Sequence, residues 1–169
     1  MTRAAPAAEI AALHLAPSGA MPNHPRWPAL LYRRVLAEPD AERFERRFAA
    51  NGWPPQWRDG IYPFHHYHTL GHEVLGCARG AARVMLGGPD GTEVRIEAGD
   101  AVLLPAGTGH CRLWASPDFL VVGAYPPGQQ ADICRAPATT EMRARIAALP
   151  RPAGDPLGAA DGVATHWRD

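Results

Sequence analysis

The stretch from Phe64 to Gly76, FHHYHTLGHEVLG, holds four of the chain's eight histidines, with a glutamate directly after the last. Neutral imidazole is the commonest protein ligand for divalent transition metals, and carboxylates often share the ion with it. On an extended segment, side chains two apart share a face, so His66 and His68 point one way while His65 and Tyr67 point the other. Two imidazoles side by side suit one ion. The TLG that follows is a tight connection, after which Glu73 opens the next strand close enough to offer a carboxylate. A further ligand is expected from elsewhere in the fold, and His110, after the turn PAGTG, is the remaining candidate. Three imidazoles and one carboxylate would leave two octahedral positions open to water, substrate or dioxygen.

Such a set needs a rigid frame. From Gly60 the chain breaks into short runs divided by glycine and proline: IYPFHHYH, EVLGCA, ARVML, TEVRIE, AVLLP, HCRLW and FLVVGAY. That texture predicts an all-β sandwich or barrel. The turn GGPDGT is strong hairpin chemistry, and beyond it Glu93, Arg95 and Glu97 alternate with Val94 and Ile96, a strand with one wet face. Upstream, PALLYRRVL (28–36) is expected as a strand. Asp40 is expected to cap a helix over AERFERRFAAN, with Phe44 and Phe48 on one face and Gly52 as its stop. A short second helix, TTEMRARIAAL, is capped by Thr139 or Thr140. Residues 1–21 are expected as a loose arm with at most a helical turn in AAEIAALHL, and residues 22–149 as the single folded domain. The tail, 150–169, should drape over the barrel or over a neighbouring subunit, with Trp167 as its anchor.

Composition limits the function classes. A chain of 169 residues that is 46% apolar fits one domain, and such a chain buries roughly two-thirds of its unfolded surface. Arginine plus lysine and aspartate plus glutamate each total 17, so no global field recruits nucleic acid or a membrane. The expected partner is a small molecule. Three scattered cysteines, Cys77, Cys111 and Cys134, predict a reducing compartment without disulfides, and neither a signal peptide nor a membrane span is expected, which points to the cytoplasm.

The spacings also resemble a known family. GIYPFHHYHTLGHEVLGCARG fits the first cupin motif, G-x5-H-x-H-x4-E-x6-G, at Gly60, His66, His68, Glu73 and Gly80. GDAVLLPAGTGH fits the second, G-x5-P-x-G-x2-H, at Gly99, Pro105, Gly107 and His110, although Trp114 stands where the motif usually ends in asparagine. Over roughly Pro25 to Arg135 the chain is similar to small single-domain bacterial cupins of the YjlB type. The resemblance implies a double-stranded β-helix, a jelly-roll barrel with a metal in its mouth. It brings no reaction with it. His72 competes with Glu73 for the acidic position, but with six intervening residues Glu73 leads to Gly80 and His72 only to Arg79, which favours Glu73.

Around the ligands, Tyr62 and Phe64 share the face of His66 and His68 and are placed along the cavity wall, with Phe64 as core filler. By the same alternation Arg112 and Trp114 share the face of His110. An inward arginine needs a partner, either a substrate carboxylate or enolate, or an internal acid such as Glu73; the alternative is that Arg112 snorkels out at the barrel rim. The segment NGWPPQWRDG makes Trp57 and Arg58 candidate ligand contacts if it forms a lid; the alternative is a helix end tied to the barrel by aromatic packing. His65 and His72 are out of phase and expected to be hydrogen-bonded or exposed, and Cys77 to be a small core residue.

The leading functional expectation is an enzyme holding one divalent transition metal per chain, iron, manganese, zinc or nickel. It would be of dioxygenase or isomerase type and act on a small chelating oxo or carboxylate substrate, with Glu73, Arg112 and Tyr62 as candidate catalytic groups. The alternative is a non-catalytic binding or sensing module. Pairing through the sheets into a homodimer, with 28–36 crossing to the partner, is expected by analogy.

Overall fold

The computed structural model describes residues 8–169. The first seven residues of the expected arm lie outside the described residues. The strands are β1 (Glu9–Leu13), β2 (Ala29–Arg33), β3 (Pro55–Asp59), β4 (Glu73–Arg79), β5 (Ala81–Leu86), β6 (Thr92–Glu97), β7 (Ala101–Leu104), β8 (His110–Ala115) and β9 (Leu120–Ala124). Helix α1 (Ala41–Ala50) follows β2, and α2 (Thr140–Ala148) and α3 (Val163–His166) close the chain. A six-stranded sheet, β1-β2-β7-β4-β9-β3, faces a three-stranded one, β6-β5-β8, and every pairing is antiparallel. This is the double-stranded β-helix, with one short helix between β2 and β3 and two short helices after β9. Among the described residues no helix is long and apolar enough to cross a membrane.

Strand alternation gives the large sheet two apolar faces. Leu75 and Cys77 of β4 join Leu31, Val84, Leu86, Ile96, Val102 and Val121 between the sheets. Val74 and Ala78 turn the other way, onto Phe44 and Phe48 of α1. Asp40 caps that helix by accepting the Arg43 N–H at 2.8 Å, and burying each phenylalanine is worth about 1.5–3 kcal/mol. Gly76 lets the helix approach: a Cβ there would lie 2.5 Å from the Phe44 ring.

Four elements differ from the expectations. Residues 9–13 form no helical turn but the edge strand β1, paired with β2 from Glu9↔Arg33 to Leu13↔Ala29. AEIAALHL suits either state locally, and the open edge of β2 decides it by taking the backbone hydrogen bonds. Consequently β2 lies between β1 and β7 of its own chain. The segment 55–59, expected as a lid or a helix end, is β3, an edge strand along β9. IYPFHHYH forms no regular strand; the bridges His66↔His110 and Tyr67↔Cys134 hold it, together with the Arg112 N–H donated to the Tyr62 carbonyl at 3.0 Å and the Gly107 N–H donated to the His68 carbonyl at 2.7 Å.

The tail folds over its own barrel. Trp167 is fully buried, stacks on Trp27 at 5.2 Å and donates its Nε1–H to the Pro28 carbonyl at 2.9 Å. Asp155 accepts the Tyr32 hydroxyl at 2.6 Å and the backbone N–H groups of Leu157 and Val163 at 2.8 and 3.0 Å. Two buried histidines complete this clasp. His24 stacks on Trp27 at 4.6 Å, and its Nδ1 accepts the N–H groups of Arg26 and Trp27 at 3.1 and 2.9 Å. His72 accepts the Ala106 N–H on Nδ1 at 2.9 Å and donates Nε2–H to the Pro150 carbonyl at 3.1 Å.

Burial, reinforced by the positive charges of His72 and Arg26, lowers the pKa of His24 to about 3. Burial lowers that of His72 to about 4 against the opposing bond to Pro150. An unfolded-chain histidine titrates near about 6.5, so in acid the unfolded chain binds the extra protons. The stability these neutral rings contribute is complete above about pH 6.5 and declines until the folded groups also titrate, at about 1.4 kcal/mol per pH unit for each proton taken up. The melting temperature should therefore fall steadily from pH 7 to pH 4. In a His24→Asn variant, which keeps an acceptor for the two N–H groups, the fall should be shallower. Equal slopes in the two proteins would refute the assignment.

Candidate metal centre

The three motif histidines are oriented by the main chain. His66 Nδ1 lies 2.9 Å from the Phe64 carbonyl, His110 Nδ1 lies 3.0 Å from the Thr108 carbonyl, and His68 Nδ1 meets the Asp132 carbonyl. A carbonyl only accepts, so each Nδ1 carries a hydrogen, and Nε2 has a lone pair in the neutral ring or, when the ring is protonated, an N–H that Glu73 can accept. The ligating nitrogens of His66, His68 and His110 lie within 4.8 Å of one another, and all three residues are buried. The backbone bridge between His66 and His110, with N–H···O distances of 3.2 and 2.9 Å, locks two of them together.

Glu73, the first residue of β4, faces the same point. Its Oε1 lies 3.3 Å from His68 Nε2 and 3.5 Å from His110 Nε2. Burial by itself would push this carboxyl upward, but the charge of His68 and hydrogen bonds from His110 and His68 outweigh it and hold Glu73 well below the usual carboxylate range. Burial would likewise lower His68, yet the Glu73 charge and hydrogen bond turn its net shift upward. His66, buried and beside His110, falls to about 3 and stays neutral at ordinary pH. Three imidazoles of one tautomer, converging with an ionised carboxylate, are a donor set that fits a divalent transition metal.

The cluster sits in a cavity of about 390 Å³. In β3, Trp57 and Asp59 face it, and Trp57 donates Nε1–H to the Tyr125 hydroxyl at 2.7 Å. Tyr62 lines it while remaining 48% exposed, and it meets His66 edge-on at 5.4 Å. Arg112 lines it too and has no ion pair among the described residues, so the alternative pairing with Glu73 does not form.

Three residues expected in the pocket stand outside it. In β8, Arg112 pairs with Val84 but Trp114 pairs with Arg83, so two steps along β8 match one along β5. Leu113 is the extra residue of a β-bulge, which reverses the alternation. Trp114 therefore faces outward, 42% exposed, with the Arg95 guanidinium 5.8 Å from its ring. Arg58 alternates with Trp57 and points away from the cavity, binding Glu45 of α1 at 2.6 and 3.0 Å. The Phe64 side chain is neither core filler nor cavity wall: it stacks on Tyr62 at 4.9 Å beneath the Arg135 guanidinium at 4.0 Å, and only its carbonyl serves the site. His72 has both nitrogens committed in the clasp and offers no ligand atom.

Asp59, Tyr125, Ala131 and Ile133 also line the cavity, and sequence reasoning missed all four. Tyr125 shares the parity of Val121 in FLVVGAY, a signal that was legible. The loop residues had none.

The fold and the buried histidine cluster define a cupin. The chain is 40% identical over 141 residues to an uncharacterized Bacillus subtilis protein, YjlB, a match covering 82% of this chain and 84% of that one, and it belongs to the YjlB family. No family model matches. Among solved structures, a DUF861-family protein from Thermotoga maritima aligns with a TM-score of 0.33 and 23% identity, over 51% of this chain and 91% of that one. Streptomyces albus HEPD, solved with 2-hydroxyethylphosphonate and Fe(II), aligns with a TM-score of 0.29 and 15% identity, over 75% of this chain and 22% of that one.

Gly123 of β9 lies directly beneath Trp57, and a Cβ there would collide with the indole ring. Gly123→Ala should push Trp57 off Tyr125 and cost about 1–3 kcal/mol by overpacking. Denaturant unfolding and the near-ultraviolet circular dichroism of the tryptophans measure both effects, and a wild-type result in each would contradict this packing.

Proposed function

We propose that this chain is a metal-dependent enzyme acting on a small chelating oxo or carboxylate substrate. The observation that carries the reading is the convergence of three Nδ1-anchored imidazoles and an ionised Glu73 at one wall of an open cavity. His66, His68, Glu73 and His110 would hold a single divalent ion. Such an ion supplies Lewis acidity toward a substrate oxygen and, if it is iron or manganese, access to dioxygen chemistry.

The chain's own residues supply binding and orientation. Arg112, which forms no ion pair among the described residues, binds the anionic end of the substrate by a charge-assisted pair of hydrogen bonds. Trp57 and Tyr125 form an aromatic wall that excludes water, which strengthens that pairing. Glu73 keeps its carboxylate ionised beside the reacting region, either as a ligand or as the group that accepts a proton.

The first experiment is metal content by elemental mass spectrometry on untagged protein, comparing wild type with a His66→Ala/His110→Ala variant. About one equivalent of metal per chain is expected in the wild type, with loss in the variant. A wild type still empty after incubation with iron, manganese, zinc and nickel in turn overturns the reading. With the metal known, oxygen uptake or product formation above that of His66→Ala separates an enzyme from a binding module. Arg112→Met should then weaken substrate binding about 10- to 100-fold, as loss of a charged hydrogen bond does, with metal content unchanged.

A further inference from the structure

The segment between β9 and α2 crosses the cavity mouth with Ala131 and Ile133 turned into it. Asp132, between them, turns the other way. Its carboxylate accepts the backbone N–H groups of Thr69 at 2.7 Å and Leu70 at 3.2 Å, the Thr69 hydroxyl at 2.6 Å and the Cys134 thiol at 3.1 Å. The Thr69 hydroxyl in turn accepts Arg145 Nη1–H from α2 at 2.9 Å. Two backbone hydrogen bonds between Tyr67 and Cys134, at 2.9 and 3.0 Å, secure the other flank. The main-chain carbonyl of this same Asp132 receives the Nδ1–H of His68.

The chemistry of these bonds is asymmetric. His66 and His110 donate to carbonyls two residues back in their own segments, so local backbone geometry holds them. His68 donates across 64 positions to a loop, and a loop carbonyl orients a ring only as well as the loop is held. We propose that Asp132 is the positioning residue for His68. Its carboxylate grips the residues just after His68, so that its carbonyl is fixed opposite Nδ1 and Nε2 is aimed into the site. The inference rests on the metal reading above. Bonds to an ionised acceptor are roughly twice as strong as neutral ones, and burial, which pushes the Asp132 carboxyl upward, is outweighed by the Thr69 bonds that keep it ionised. The same residue also ties Ala131 and Ile133 of the cavity wall to the ligand.

The test uses full-length protein and Co(II) alone as probe, with two readouts: affinity by titration, and the visible ligand-field spectrum at saturation. Removing an outer partner of a metal-bound histidine costs about 10–100-fold in affinity. Asp132→Ala should lose that much and show an altered Co(II) spectrum. Asp132→Asn, which still offers an oxygen to the Thr69 and Leu70 N–H groups, should recover part of both. A merely structural residue would lower the metal-free melting temperature while the saturated spectrum kept its wild-type form. That result overturns the proposal, as does wild-type affinity in Asp132→Ala. If Asp132→Ala fails to fold, Thr69→Val, which removes one of the four bonds, takes its place: weaker Co(II) binding with an altered spectrum supports the proposal, and wild-type values overturn it. A wild type that binds no Co(II) overturns this inference together with the metal reading, whereas normal wild-type binding with unaltered variants overturns this inference alone.

Discussion

The geometry of the centre depends on one kind of bond, the hydrogen bond from an imidazole Nδ1 to a main-chain carbonyl. Such a bond selects a tautomer and fixes a ring plane together, and here it does so three times, at Phe64, Thr108 and Asp132. Each carbonyl must itself be held at hydrogen-bonding distance by the fold. Local backbone geometry does this for the first two, which lie two residues back from their rings, and the bridge between His66 and His110 joins the two segments. The Asp132 loop does it for the third, through a carboxylate buttressed by Thr69, Leu70 and, at one remove, Arg145.

Glu73 belongs to the same scheme from the opposite sheet. It begins β4, the strand whose inward residues continue as Leu75 and Cys77 into the core between the sheets. A carboxylate carried by a central strand, with β7 on one side and β9 on the other, has little freedom to turn away. The outer face of that strand is occupied by α1, which approaches closely because position 76 has no side chain. Helix packing on one side of β4 thus steadies the ligand group on the other.

The tail is the less expected support. His72 lies next to Glu73 in sequence, yet both of its nitrogens serve the junction of Ala106 and Pro150, beside the stacked rings of Trp27 and Trp167. The chain immediately before β4 is thereby pinned to the C-terminal segment, and the entry to Glu73 is set from outside the barrel. Two adjacent residues thus point opposite ways, Glu73 toward the histidine cluster and His72 into the packing of the tail.

By itself the sequence determined the candidate ligand types, their spacing, the barrel pattern and the capped helix α1, because each is local: alternation, turn chemistry and capping act within a few residues. Alternation of side chains put Tyr62 and Arg112 at the cavity, while Trp57 was placed there by the lid reading of its segment, which the structure replaces with strand β3. Alternation failed at Trp114, where the bulge at Leu113 reverses the faces, since a bulge is created by the partner strand and leaves little mark on its own residues. Only the tertiary structure decided that residues 9–13 form a strand and that a carbonyl 64 positions away receives His68. These outcomes depend on which distant backbone offers an unpaired donor or acceptor, a property of the assembled chain that no local pattern carries.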